Sequence, residues 1–129
     1  ILQEMDTAAK LQKVFLHDNS AMGAVHALDL ATLSGAEALG LGDKVGSLEA
    51  GKAADLIVVG LSHPHLQPLH DVPSQLAYSA TGLEVETVFC NGKLLFDRGE
   101  FKTLDANRIL AEAEVWRDRI RKKVEELEP

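Results

Sequence analysis

The chain has 129 residues, 46% of them apolar, which suits one domain with a core or part of a larger one. Twenty acidic residues against thirteen basic ones give a formal charge of -7, which argues against nucleic acid or an anionic membrane as the main partner and fits a soluble cytoplasmic protein. A single cysteine, Cys90, excludes an internal disulfide and a cysteine-built zinc cluster, and no run of 18 apolar residues is present to span a bilayer.

The chain opens at Ile1 with no initiator methionine and no signal-like segment, so a piece of a longer polypeptide is expected. Leu2 to His17 reads as a helix, with Leu2, Met5, Ala8, Ala9 and Leu11 at a period near 3.6. Asn19 or Ser20 is placed to cap a second helix from Met22 to Leu33. Ser34-Gly35-Ala36-Glu37 has the spacing of a capping box and predicts a short third helix, stopped by Gly40 and Gly42.

From Asp43 the pattern changes. Leu56-Ile57-Val58-Val59 is short, apolar and β-branched, as in a strand covered on both faces. Three prolines and three histidines between Ser62 and Pro73 predict a loop, and Gln75 to Ala80 a helical turn or an irregular edge. Val85–Cys90 and Lys93–Phe96 flank Asn91-Gly92, the preferred pair of a two-residue hairpin. After a turn at Asp97–Glu100, Thr103 or Asp105 caps a last helix. Its apolar stripe is Ile109, Ala113, Trp116, Ile120, Val124 and Leu127, with Asp118–Lys122 and Arg121–Glu125 spaced to pair beside it. Three strands, one apolar on both faces, need layers that the chain lacks, so missing sheet partners are expected.

No catalytic constellation stands out. Gly46 to Lys52 formally reads G-x-x-x-x-G-K, but Ala53 replaces the hydroxyl residue and a strand follows where a phosphate loop needs a helix. A turn with Asp55 accepting local backbone hydrogen bonds is the favoured reading. His63-Pro64-His65 has the spacing of a hydrolase zinc pair, and His70 and Asp71 are near, yet the prolines favour a loop whose imidazoles bond backbone and water. His26 is expected at a helix interface and His17 at a helix end. Cys90 is expected to pack as a small thiol, Glu84 and Glu86 to be solvated beside the hairpin, and no serine has a nucleophile-elbow context. No catalytic, cofactor-binding or metal-ligating residue is assigned.

The stretch from Ala31 to Val59 nonetheless carries a dense pattern. Ala31-Thr32, Gly35-Ala36, Ala38-Leu39-Gly40-Leu41, Gly46 to Lys52 and Ala54 to Val59 resemble the carboxyl-terminal part of metal-dependent amidohydrolases. The likeness is closest to the cytosine deaminase and chlorohydrolase branch, above all to deaminases of S-adenosylhomocysteine and methylthioadenosine. His65-Leu66, Pro68-Leu69, Asp71, Leu76 to Ala80, Val85 to Val88 and Asn91 to Lys93 extend it.

The resemblance implies a mixed α and β piece. Residues 1–42 would be helices closing a (β/α)8 barrel, 43–104 the returning half of a small composite β-sandwich, and 105–129 a carboxyl-terminal amphipathic helix. It also implies hydrolytic deamination of an adenosine-type or related heterocycle by the whole protein, with zinc or another divalent metal. Its metal ligands and proton-transfer residues would all precede Ile1, so the chain alone is expected to be inactive. The expected partners are the missing barrel portion, a small heterocyclic substrate and, in one version, a second copy; nucleic acid and membrane are not expected. The alternative is a non-catalytic accessory or interaction module derived from the same fold.

Overall fold

The computed structural model of the chain describes residues 1–127, so the last two residues of the expected carboxyl-terminal segment lie outside the described residues. α1 spans Leu2–Leu16 and ends where His17 turns left-handed (φ 52°), with the Asp18 N–H donating to the Lys13 carbonyl at 3.1 Å. His17 is thus the helix-end residue expected. α1 buries only Met5 and Ala9; Ala8 and Leu11 of the predicted stripe are exposed.

α2 (Ala24–Leu30) and α3 (Leu33–Ala38) replace the longer second helix and the capping box. Gly23, not Asn19 or Ser20, caps α2. Ala31 ends α2 and Thr32 is already the cap of α3, so Ser34 falls inside the helix. Its hydroxyl donates to the Asp29 carboxylate at 2.6 Å.

The second half contributes a four-stranded antiparallel sheet in sequence order: β1 (Leu56–Val59), β2 (Val85–Cys90), β3 (Lys93–Asp97) and β4 (Glu100–Phe101). β2 and β3 form the predicted hairpin. Asn91 (φ 48°) and Gly92 (φ 73°) both take the left-handed conformation that matches strand twist in such a turn. Between β1 and β2 lies α4 (Val72–Tyr78), which begins within the predicted loop, at Val72-Pro73, and takes in the helical turn that is one of the two readings from Gln75. Asp71 caps it by accepting from the Ser74 N–H at 2.9 Å, and Pro73 sits in its first turn, where no N–H is needed.

α4 packs on α1 and α2, and Met5, Ala9, Ala27 and Ala77 form their shared core, with Leu2, Leu28 and Tyr78 against it. Small residues at the centre let the helices approach closely. Lys13 reaches from α1 to the Tyr78 hydroxyl at 2.9 Å.

β1 lacks the covering layers that its composition calls for, as expected of a chain without its sheet partners. Ile57 and Val58 point to opposite faces, yet they are 48% and 44% exposed, so neither face is covered within this chain. α5 (Ala106–Glu125), capped by Asp105 through the Arg108 N–H at 3.0 Å, buries no residue. Its ion pairs are Arg108–Glu112, Glu114–Arg117, Arg117–Asp118 and Lys123–Glu126 in place of the two predicted.

Candidate functional site

The strand that follows GSLEAGKAAD is tied to its neighbours through that turn. Lys52 is folded back, its ammonium 2.6 Å from Ser47 Oγ and 3.3 Å from Glu49 Oε1. It serves the turn and does not project towards a ligand. Asp55 accepts from the Asn91 N–H and Ala54 from the Gly92 N–H at 3.0 Å. The aspartate therefore pins the distant hairpin tip to the start of β1, where a local bond is expected from the sequence.

The segment after β1 is held by a buried polar arrangement. Leu66, at the end of a 3-10 turn (Pro64–Leu66), is fully buried and anchors it. Gln67 Nε2 donates to the Leu61 carbonyl at 2.7 Å, and the Gln67–Pro68 peptide is cis. His65 is brought 2.6 Å from Glu84 Oε1 through Nε2. Glu84 is wholly buried, against the expectation of a solvated side chain. It also accepts from the Gly82 N–H at 2.8 Å, from the Thr81 N–H at 3.1 Å and from Thr81 Oγ1 at 3.0 Å.

Burial alone would push the Glu84 carboxyl up. Hydrogen bonds from its own N–H, the Gly82 N–H, His65 and Thr81 outweigh it and hold the group at about 2. An ionised carboxylate can only accept, so His65 Nε2 is the donor. The arrangement is a clamp. The Gly60 N–H donates to the Glu84 carbonyl at 2.8 Å, so side chain and backbone of one residue hold both ends of the turn. The carboxylate is saturated with donors and stays ionised at neutral pH, so it is not placed to transfer protons.

The clamp was missed in the sequence because Thr81-Gly82 supplies only its local donors, while His65 comes from 19 positions away. The other candidates do not converge. The His63 and His65 rings are 5.8 Å apart and tilted by 46°, and His70 is exposed. Asp71 is committed to the α4 cap, and its carboxyl lies below the usual range because of hydrogen bonds from Ser74. Among the described residues no group of three or more His, Cys, Asp or Glu is arranged to hold a metal ion. These histidines do not fit a zinc site. His26 is exposed on α2 where a helix interface is expected, since Ala27, one position on, faces the core. Cys90 is exposed at the hairpin end and not packed.

Beside the clamp, an open groove of about 910 Å³ runs between the helices and the sheet. Leu2, Met5, Leu28, Leu41, Leu56 and Phe89 are among its walls. No helix of the described residues is long and apolar enough to cross a membrane.

Known proteins resemble this chain in sequence and in backbone. The chain is 51% identical over 112 residues to 5-methylthioadenosine/S-adenosylhomocysteine deaminase of Moorella thermoacetica, covering 87% of this chain and 26% of that protein. The enzyme of the same name from Aquifex aeolicus is 41% identical over 127 residues, covering 98% and 29%. A crystal structure of an adenosine deaminase from Xanthomonas campestris with bound zinc superposes with a TM-score of 0.90 at 45% identity, over 94% of this chain and 28% of that one. The chain thus spans about a quarter of the length of the relatives it matches. The Amidohydrolase family model matches residues 1–95, which takes in α1 to α4, β1, β2 and the start of β3, and the chain belongs to that family.

Proposed function

We propose that the chain is the carboxyl-terminal part of a zinc-dependent cytoplasmic deaminase that hydrolyses the amino group of an adenosine-type nucleoside and releases ammonia. What carries the reading is that the relatives and the solved structure of higher identity act on adenosine-type substrates, while triazine hydrolases share the shape at a lower 26% identity. Relatives that deaminate methylthioadenosine and S-adenosylhomocysteine match nearly the whole chain, and a zinc-bearing adenosine deaminase has the same backbone arrangement.

In this reading residues 1–42 close the catalytic barrel, 43–104 form half of a composite sandwich and 105–129 a terminal helix. The bare faces of Ile57 and Val58 and the apolar groove support it, because each has the surface of an internal junction. Catalytic and zinc-binding residues then lie in the part of the protein outside this chain. The His65–Glu84 clamp shapes the scaffold, and none of the histidines here is assigned to the metal.

The test is an ammonia-release assay of the complete protein on adenosine, 5'-deoxyadenosine, methylthioadenosine and S-adenosylhomocysteine, with metal analysis alongside. Turnover of at least one of them with bound zinc is expected, and His63→Ala/His65→Ala should keep the zinc. A metal-free complete protein that releases no ammonia would replace this reading with that of an interaction module.

A further inference from the structure

We propose that Asn91 is a latent self-modification site, and that the residues leading into β1 are the catch that holds it unreacted. The reaction is intramolecular. The backbone nitrogen of Gly92 attacks Cγ of the Asn91 side-chain amide. A C–N bond forms between them, the bond from Cγ to the amide nitrogen breaks, and the Gly92 proton leaves with that nitrogen as ammonia. Water then opens the five-membered imide at either carbonyl, giving aspartate or isoaspartate. One water is consumed and one ammonia released, with no metal or redox partner.

The sequence supplies the reactants at one place. Of the asparagines Asn19, Asn91 and Asn107, only Asn91 precedes a glycine. Glycine has no Cβ to crowd the attacking nitrogen. Asn91 and Gly92 are the two loop residues between the paired Cys90 and Lys93.

The fold withholds the reaction. The ring closes only when the C–N bond to Gly92 swings round to eclipse the Asn91 Cα–Cβ bond. Asn91 has φ 48°, in the left-handed region. That region has ψ of about +47°, which sets the two bonds almost opposite, so the Gly92 nitrogen points away from Cγ. Helical and extended backbone both leave a shorter swing.

Two hydrogen bonds fix this geometry, and both come from outside the hairpin. The Asn91 N–H donates to the Asp55 carboxylate, and the Gly92 N–H to the Ala54 carbonyl at 3.0 Å. The second bond occupies the proton that the attacking nitrogen must lose. Asp55 is 36 positions from Asn91, so the catch exists only in the folded chain. Both bonds are internal to this chain, so the catch does not depend on what the rest of the polypeptide covers. Isoaspartate carries the main chain through the former side chain and lengthens the loop by one methylene. The turn then no longer presents both N–H groups to Asp55 and Ala54, so each conversion destroys its own catch.

The test uses the complete protein, kept in mildly alkaline buffer below its melting temperature. Peptide mapping by mass spectrometry, after digestion in acid, follows aspartate and isoaspartate at position 91. The samples are folded wild type, wild type unfolded in urea, Asp55→Ala, Asp55→Asn and Glu84→Gln, with circular dichroism to check that each variant is folded. Conversion runs through the opened tip, so its rate follows the fraction open. Folded wild type should convert at least about tenfold more slowly than the unfolded chain. Asp55→Ala loses a hydrogen bond to a charged acceptor and should convert about tenfold faster than folded wild type. Asp55→Asn keeps an acceptor of the same shape without the charge and should fall between the two. Glu84→Gln destabilises the chain at the far end of β2 without touching the catch and should convert like wild type.

Equal rates in folded and unfolded wild type would overturn the proposal. So would a folded Asp55→Ala that converts no faster than wild type, or a Glu84→Gln that speeds conversion as much as Asp55→Ala does. Should Asp55→Ala fail to fold, Asp55→Asn decides in its place, and a rate equal to that of wild type overturns the proposal. The readout is the mass of one peptide, so failure of the deaminase reading, which shows as absent ammonia release from nucleosides, leaves it untouched.

Discussion

Glu84 is a carboxylate whose value lies in being ionised inside the protein. The group sits at about 2 in the fold against an ordinary 4.5, so its contribution is fully present above pH 4.5 and drains away as the pH falls towards about 2. Glu84→Gln keeps the shape but leaves some of the donors from Thr81, Gly82 and His65 without a good acceptor. In the complete protein it should cost about 1–3 kcal/mol at pH 7. The gap between variant and wild type should narrow at pH 3, as measured by urea denaturation at both pH values. A gap of constant size would show that the charge contributes nothing.

The glycines of GSLEAGK divide by the same kind of local test. Gly46 (φ 96°) lies against α3, where an added Cβ would be 2.8 Å from Ala36 Cβ and 2.9 Å from Leu33 Cα. Gly51 has a similar φ, 97°, but open space around it. Gly51→Ala should cost about 1 kcal/mol from backbone strain alone, and Gly46→Ala clearly more, since the backbone of α3 must also move. Equal melting temperatures for the two variants would contradict the close crossing.

At the scale of elements, β1 is a strand with the composition of a core and the exposure of a surface. If the rest of the polypeptide covers it, Ile57→Ala in the complete protein should cost about 2–4 kcal/mol, the usual range for emptying a filled apolar site. Urea denaturation gives the number, and a loss below about 0.5 kcal/mol, typical of surface positions, would mean that the face stays open. The hairpin was legible because its signal is contained in two adjacent residues, Asn91 and Gly92. α4 is legible only from Gln75 on, as a helical turn that is one of two readings there; its start is hidden because Pro73 suggests a loop although it sits in the first helical turn behind the Asp71 cap. The capping box at Ser34 failed for the converse reason: the right residues stood at the right spacing, but Thr32 had already begun the helix. Glu84 was hidden at the level of contacts, since nothing near it in the chain announces His65.

At the scale of the molecule, helices and sheet meet across the apolar groove and are held together chiefly by what the chain does between β1 and β2. These two strands are hydrogen-bonded neighbours, yet the polypeptide leaves β1, makes the clamped turn, lodges α4 on α1 and α2, and only then returns as β2. The path is a stitch: sequence order and spatial grouping are deliberately out of step. Its consequence shows under a protease. Lys44 is exposed in the stretch joining α3 to β1, and trypsin acting briefly on the chain should cut there. The two products should nevertheless travel together on a native sizing column, because α4 on the later product is seated among the helices of the earlier one. They should part only in denaturant, so that a severed backbone leaves the assembled particle whole.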